Sequence, residues 1–222
     1  MWHDDEIGNH VYVAGGGKPA KTKLSRMELQ QVKALRYKGW VGDRMRELRI
    51  VPADEAIAKF KGQTNFYLDV KNTPAERILE LIARHDVAER CIVLAMDMGY
   101  LRKIRTDDPR ITLCYWAGIP DDPAEARELM EQVASLGVEI FGGPGLTEAK
   151  VRLCHEYGIT ARPSGGEVLY SDARKFLMMG VDGVIPDNPE AVLHAIERLW
   201  GKEYLPRPGQ TIRDLLKGRK RR

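Results

Sequence analysis

No stretch of the chain approaches the roughly 18 apolar residues of a membrane-crossing helix, which excludes a helical span. Cysteine is scarce. Cys91, Cys114 and Cys154 are far apart, odd in number and without metal-ligand spacing. They read as small buried hydrophobes in a reducing compartment, and a cytoplasmic location is expected. A large charge excess is missing too. A formal net charge of +3 is too small to argue for a polyanion, so no nucleic-acid partner is expected. The opening Met1-Trp2-His3-Asp4-Asp5-Glu6 is acidic where a secretory signal would be basic. What is present is a folding composition. With 43% hydrophobic and 30% charged residues over 222 positions, the chain can bury one sizeable core. α/β barrels commonly occupy this size as one domain.

From residue 65 onward, short apolar runs alternate with helical patterns. The runs fall at 66–70, 91–95, 111–116, 138–141, 159–162 and 183–185. Thr73-Pro74-Ala75-Glu76 reads as a capping box, and Asp122-Pro123-Ala124-Glu125 repeats the signal. Thr147 or Glu148, Ser171 and Asn188-Pro189 open further helices, and Gly137, Gly158, Gly180 and Gly201 close them. Six such units predict a parallel sheet covered by helices, of the (β/α)8 TIM-barrel class but two units short. Residues 1–64 do not supply the missing units. They hold a Gly15-Gly16-Gly17 loop, a helix expected over about 25–37, a turn around 39–43 and one very short strand candidate, Val11-Tyr12-Val13. The expected layout is a single barrel domain over 1–208 and a basic tail over 209–222. The tail begins as a short helix (Ile212, Leu215, Leu216) and ends in a solvated Lys217-Gly218-Arg219-Lys220-Arg221-Arg222 cluster.

Asp69 and Lys71 flank Val70 at the end of the first clear strand, so alternation puts them on one face, directed into the barrel mouth. They are either a structural ion pair or a metal ligand beside a phosphate-holding lysine. His3 titrates near neutrality and suits general acid–base work, although a terminal histidine is more often just solvated. His10 and His85 read as surface residues, and His155 and His194 lie in helical patterns without partners at metal spacing. Gly142-Gly143-Pro144-Gly145 and Ser164-Gly165-Gly166 read as strand-to-helix loops whose backbone N–H groups could approach a phosphate. Asp187 and Asn188 read as a turn residue and a helix cap.

Taken in order, several segments resemble the glycerophosphodiester phosphodiesterase family, a phosphatidylinositol-phosphodiesterase-like TIM barrel. They are His3-Asp4-Asp5, Gly39-Trp40, Leu68-Asp69-Val70-Lys71, the run from Asp97 to Arg105, and Gly180-Val181-Asp182-Gly183-Val184-Ile185-Pro186-Asp187. The resemblance implies a hydrolase of lipid metabolism. Such an enzyme cleaves glycerophosphodiesters to an alcohol and sn-glycerol 3-phosphate, using two histidines and a divalent cation (Ca²⁺ or Mg²⁺) held by three carboxylates. By the same resemblance, His3 is one of the histidines, Lys71 the phosphate contact and Asp69 a metal ligand. The family's His-Arg and Glu-x-Asp strands would precede His3, and neither motif is in the chain. The segment Ile159-Thr160-Ala161-Arg162-Pro163 stands where the family usually carries a tryptophan. The expectation is therefore an N-terminally incomplete barrel with a weakly held cation and slow turnover. Open edges at 66–70 and 183–185 should promote self-association. Rival readings are a non-catalytic relative acting as a binding module, and a different phosphate-handling barrel such as an isomerase or aldolase.

Overall fold

A computed structural model describes residues 6–8, 11–19, 23–41, 44–163, 169–186, 188–205, 207 and 209–219. The chain divides into two compact units, Met1–Phe60 and Lys61–Arg222.

The first unit holds a three-stranded antiparallel sheet, β1 (Val11–Val13), β2 (Leu35–Val41) and β3 (Arg44–Arg49), in that order. Two short helices, α1 (Leu29–Lys33) and α2 (Ala53–Phe60), complete it. The helix expected over about 25–37 is corrected to a single 3-10 turn over Leu24–Arg26, the five-residue α1, and the start of β2. Strand geometry wins because Leu35 and Tyr37, two residues apart, both join the cluster of Ile7, Val11 and Ile50. The β2 backbone is meanwhile paired on both sides, Tyr37 lying opposite Val11 and Leu48. Glu55 of α2 meets Lys33 at 2.9 Å and Arg49 at 2.7 Å, and both cations hold its carboxyl below the usual range.

The second unit is built from strand–helix repeats. Its strands are β4 (Phe66–Asp69), β5 (Cys91–Ala95), β6 (Thr112–Trp116), β7 (Ile140–Gly143) and β8 (Thr160–Pro163). All neighbours are parallel, in the order β4-β5-β6-β7-β8. The helices that follow them are α3 (Ala75–His85), α4 (Met98–Asp107), α5 (Pro123–Ser135), α6 (Glu148–Glu156) and α7 (Tyr170–Met178). Helices α8 (Pro189–Trp200) and α9 (Ile212–Arg219) close the unit. This is an α/β architecture of barrel type, with five parallel strands among the described residues where a closed barrel has eight.

The sixth expected strand, 183–185, does not form. Asp182 donates its backbone N–H to the Ala161 carbonyl at 2.9 Å, as a parallel neighbour would. Its carboxylate then accepts from the Ala161 N–H at 2.7 Å and from His155 Nε2 at 2.8 Å. A side chain thus takes the donor that the Gly180 carbonyl would use in a parallel ladder, and the next β8 residue on that side, Pro163, has no N–H to offer a following strand.

Most stop signals act as read. Gly137, Gly158 and Gly180 have φ of 74°, 70° and 82°, and each closes its helix with a paired set of backbone bonds, such as Gly137 N–H to Ala134 O and Val138 N–H to Val133 O. Asp86 does the same after α3 with φ 52°, a conformation that suits glycine better. Asp122 caps α5 by accepting from the Ala124 and Glu125 N–H groups, with Pro123 at the first helical position. Two cap readings are corrected. Pro74 itself is the N-cap of α3, so Thr73 sits one residue too early to cap it. Ser171 lies inside α7, whose start is held instead by Asp172 reaching back to the Leu169 N–H.

One face of the parallel sheet carries Val93, Leu113, Phe141 and Ala161, all fully buried. Helices α4 and α6 pack on the sheet through β5, β6 and β8. Buried stripes such as Leu101 and Ile104 of α4 supply about 1.5–3 kcal/mol per side chain.

Candidate functional site

The strand register defines what lies on the other face. Asp69 stands opposite Leu94, which stands opposite Cys114, then Ile140, then Thr160. One step further along, Trp116, Gly142 and Arg162 form a row. One step back, Tyr67 pairs with Ile92. Leu94, Cys114 and Ile140 cluster here with Tyr67, Ile92 and Trp116 packed against them.

Two long side chains converge over the middle strand. Tyr67 comes from β4 and Arg162 from β8, the two edges of the described sheet. The Arg162 Nη2 donates to the Tyr67 hydroxyl, and both lie 3.7 Å from Cys114 Sγ on β6. On a flat sheet the edge strands would be about 19 Å apart, at the usual spacing. Contact between their side chains therefore means that the sheet curls toward this face.

The Arg162 guanidinium is sandwiched by aromatics, its carbon 4.4 Å from the Tyr67 ring centre and 5.5 Å from that of Trp116. Only 7% of Arg162 is exposed. Gly142 makes room for it, because a Cβ there would meet Arg162 Nη2 at 3.0 Å and the Trp116 ring at 2.7 Å. Burial pushes the Tyr67 phenol and the Cys114 thiol above their ordinary values, so both stay neutral. No carboxylate pairs with Arg162 among the described residues, and its Nε is buried without a partner. The arrangement is a buried cation held by neutral groups, with the Asp69 carboxylate near enough to act on Tyr67 and Cys114, at the strand ends where barrels of this type carry their chemistry.

Asp69, the last residue of β4, shares this face with Tyr67. Its Oδ2 lies 3.0 Å from Lys71 Nζ, and both side chains are exposed. An exposed pair of this kind contributes about 0–1 kcal/mol. The structure thus brings Asp69 and Lys71 together as an ion pair. His3 and His10 lie outside the described residues, as do Ser164-Gly165-Gly166 and Asp187. Gly142 and Gly143 are not loop glycines; they are the last two residues of β7. His155 is tied to Asp182, and His194 stacks at 5.3 Å on Tyr170. Among the described residues, no three of His, Cys, Asp and Glu form a group that could hold a metal ion.

Sequence reasoning missed the roles of Arg162, Tyr67 and Trp116. The available signal was an arginine inside an apolar strand pattern, immediately before Pro163.

No protein-family model matches the chain, and no curated protein matches it. Solved structures do. A structure of a putative glycerophosphoryl diester phosphodiesterase from Silicibacter pomeroyi aligns with TM-score 0.70 and 19% identity, covering 89% of this chain and 78% of that one. A glycerophosphoryl diester phosphodiesterase from Parabacteroides distasonis aligns with TM-score 0.67 and 20% identity, covering 89% and 70%. A phosphodiesterase from Oleispira antarctica, in complex with the product sn-glycerol-3-phosphate, aligns with TM-score 0.65 and 18% identity, covering 88% and 78%. The expected fold is thereby established: the chain has the α/β-barrel fold of the glycerophosphodiester phosphodiesterase structures.

Proposed function

We propose that this chain is a phosphoric diester hydrolase of the glycerophosphodiester phosphodiesterase type, converting a small glycerophosphodiester to an alcohol and sn-glycerol 3-phosphate. The observation that carries this reading is the fold likeness just described, which includes a structure holding sn-glycerol-3-phosphate. The Asp69–Lys71 pair at the end of β4 supports it. In this reading the Lys71 ammonium neutralises a phosphoryl oxygen, and Asp69 orients that ammonium. Water attacks phosphorus and gives up one proton to solvent, the bond from phosphorus to the alcohol oxygen breaks, and the leaving alkoxide takes a proton in its place. His3 is assigned that proton transfer.

A divalent cation, Ca²⁺ or Mg²⁺, belongs to this chemistry when three carboxylates hold it. The described residues do not fit one: Asp69 is a single carboxylate already paired with Lys71, and no ligand group accompanies it. No step is routed through a metal, and the expected affinity is weak, with water filling most of the ion's shell.

The test is release of sn-glycerol 3-phosphate from glycerophosphocholine by the full chain, with and without added Ca²⁺ or Mg²⁺. Turnover well below the roughly 10 s⁻¹ typical of enzymes, and lost in Lys71→Met, is expected. A second reading, a non-catalytic relative that binds glycerophosphodiesters, is favoured by the lack of a three-ligand group among the described residues. Absence of release under every condition would leave that reading in place of the first.

A further inference from the structure

We propose that Arg162 is an oxyanion-binding residue, its guanidinium taking the phosphate group of a glycerophosphate on the Tyr67 face of the parallel sheet. That the oxyanion is a phosphate rests on the phosphodiesterase reading; that an anion site exists there does not.

A buried arginine with a purely structural task satisfies its donors and its charge. Arg105 of this chain does so. It donates to the carbonyls of Pro109, Ile111 and Gly137 and to both carboxylate oxygens of Glu139. Its Nε also lacks a partner, but its charge is met by Glu139 at 2.8 Å. Arg162 is more deeply buried, and its described contacts are a phenol, a thiol and two aromatic rings, with the Asp69 carboxylate acting on the phenol and thiol but not bonded to the guanidinium. Burying a cation with no carboxylate in contact and one donor unpaired is costly, and an incoming anion lowers the cost.

The surroundings hold the fork in one place. The Tyr67 and Trp116 rings flank it, and Gly142 supplies the space a Cβ would fill. A planar guanidinium fixed in this way meets a phosphate with two parallel N–H donors, which a lysine cannot do. The neutral Tyr67 hydroxyl accepts from the guanidinium and donates weakly to Cys114 Sγ at 3.7 Å, a bond it can exchange for a stronger one to the same anion. Lys71 lies two residues beyond the end of β4, whose Tyr67 side chain reaches Arg162, and is paired with Asp69, so a second cation belongs to the same strand end.

The experiment uses the full chain, with inorganic phosphate and sn-glycerol 3-phosphate as probes. The arginine Nε–Hε resonances are followed by ¹⁵N NMR during titration, the Arg162 signal being assigned by its loss in Arg162→Lys. Saturable movement of that signal is expected, together with a rise in melting temperature with phosphate. In Arg162→Met, affinity should fall tenfold or more and the phosphate-dependent rise should vanish. An unmoved Arg162 signal, or an equal phosphate response in Arg162→Met, would overturn the proposal. The two readings fail separately. Phosphate binding through Arg162 without hydrolysis removes only the enzyme reading. Hydrolysis with full phosphate response in Arg162→Met removes only the role of Arg162.

Discussion

The glycine pair at the end of β7 gives a graded test of how the sheet is packed. Alanine at Gly142 would place a Cβ 2.7 Å from Trp116 Cε3, 3.1 Å from Cζ3 and 3.0 Å from Arg162 Nη2. Favourable carbon contacts begin near 3.5 Å, so the indole must retreat by about 0.8 Å. Both neighbours are side chains and can give way. Overpacking of this kind costs about 1–3 kcal/mol, and the stiffer unfolded chain returns about 0.4–1 kcal/mol. The expected net loss for Gly142→Ala is about 0.5–2 kcal/mol. At Gly143 the obstacle is backbone: the Cβ would lie 1.9 Å from the Ala117 carbonyl oxygen and 2.9 Å from its carbon. Ala117 is itself tied to the sheet, its N–H donating to Gly142 O at 3.0 Å. Gly143→Ala can be accommodated only by pulling the ends of β6 and β7 apart, at a cost of about 3 kcal/mol or more. Urea unfolding followed by circular dichroism ranks the two variants. The packing account is refuted if Gly143→Ala stays within about 0.5 kcal/mol of the parent, or costs no more than Gly142→Ala.

Three further outcomes are expected. Asp86→Gly relieves the one left-handed non-glycine residue among those described and should raise stability by about 0.5–1 kcal/mol in the same unfolding assay. Burial pushes the Cys91 and Cys154 thiols up to about 12 and raises that of Cys114. A thiol reagent at pH 8 should therefore modify none of the three until the chain unfolds. Because the native state keeps these protons after an unfolded thiol has lost its own near pH 8.5, stability should fall as pH rises from there toward the folded values. An unfolding midpoint independent of pH between 8 and 10 would contradict this. Finally, β4 carries no partner on its outer side among the described residues, with Phe66 and Leu68 on it. Sedimentation should show concentration-dependent self-association, weakened by Phe66→Lys, whereas a monomer at all concentrations would contradict it.

The parallel strands were legible because β-branched and aromatic runs such as Val-Glu-Ile-Phe, leading into β7, followed glycine helix stops such as Gly137. The false sixth strand has an equally apolar run, but the Asp182 carboxylate ends the ladder there, and that depends on where Ala161 sits. In the first unit, β3 was invisible because its sequence, Arg-Met-Arg-Glu-Leu-Arg, is mostly charged and exposed. It is held by its backbone ladder and by polar contacts of Glu47 to Tyr12 and Arg36, which no hydrophobic period reports. Asp69 and Lys71 could be placed by alternation because they are neighbours in sequence. Tyr67 and Arg162 are 95 positions apart, and only the curl of the sheet brings them together.

Every return from helix to strand in the second unit is clamped. Four helices end in the same pair of backbone bonds around a left-handed residue, and after α4 the side chain of Arg105 grips the carbonyls of Pro109 and Ile111. Among the described residues, the turns leading from strand to helix are held instead by single side-chain caps, from Asp97, Asp122 and Thr147. Tolerance to change is therefore directional. Residues added or exchanged in 70–73, 118–121 or 144–146 leave the clamps and caps whole, whereas a single insertion at 137–138 or 158–159 breaks two bonds and misaims the next strand. Variation in such a chain would collect at the end of the sheet that carries the candidate site, while its frame stays fixed.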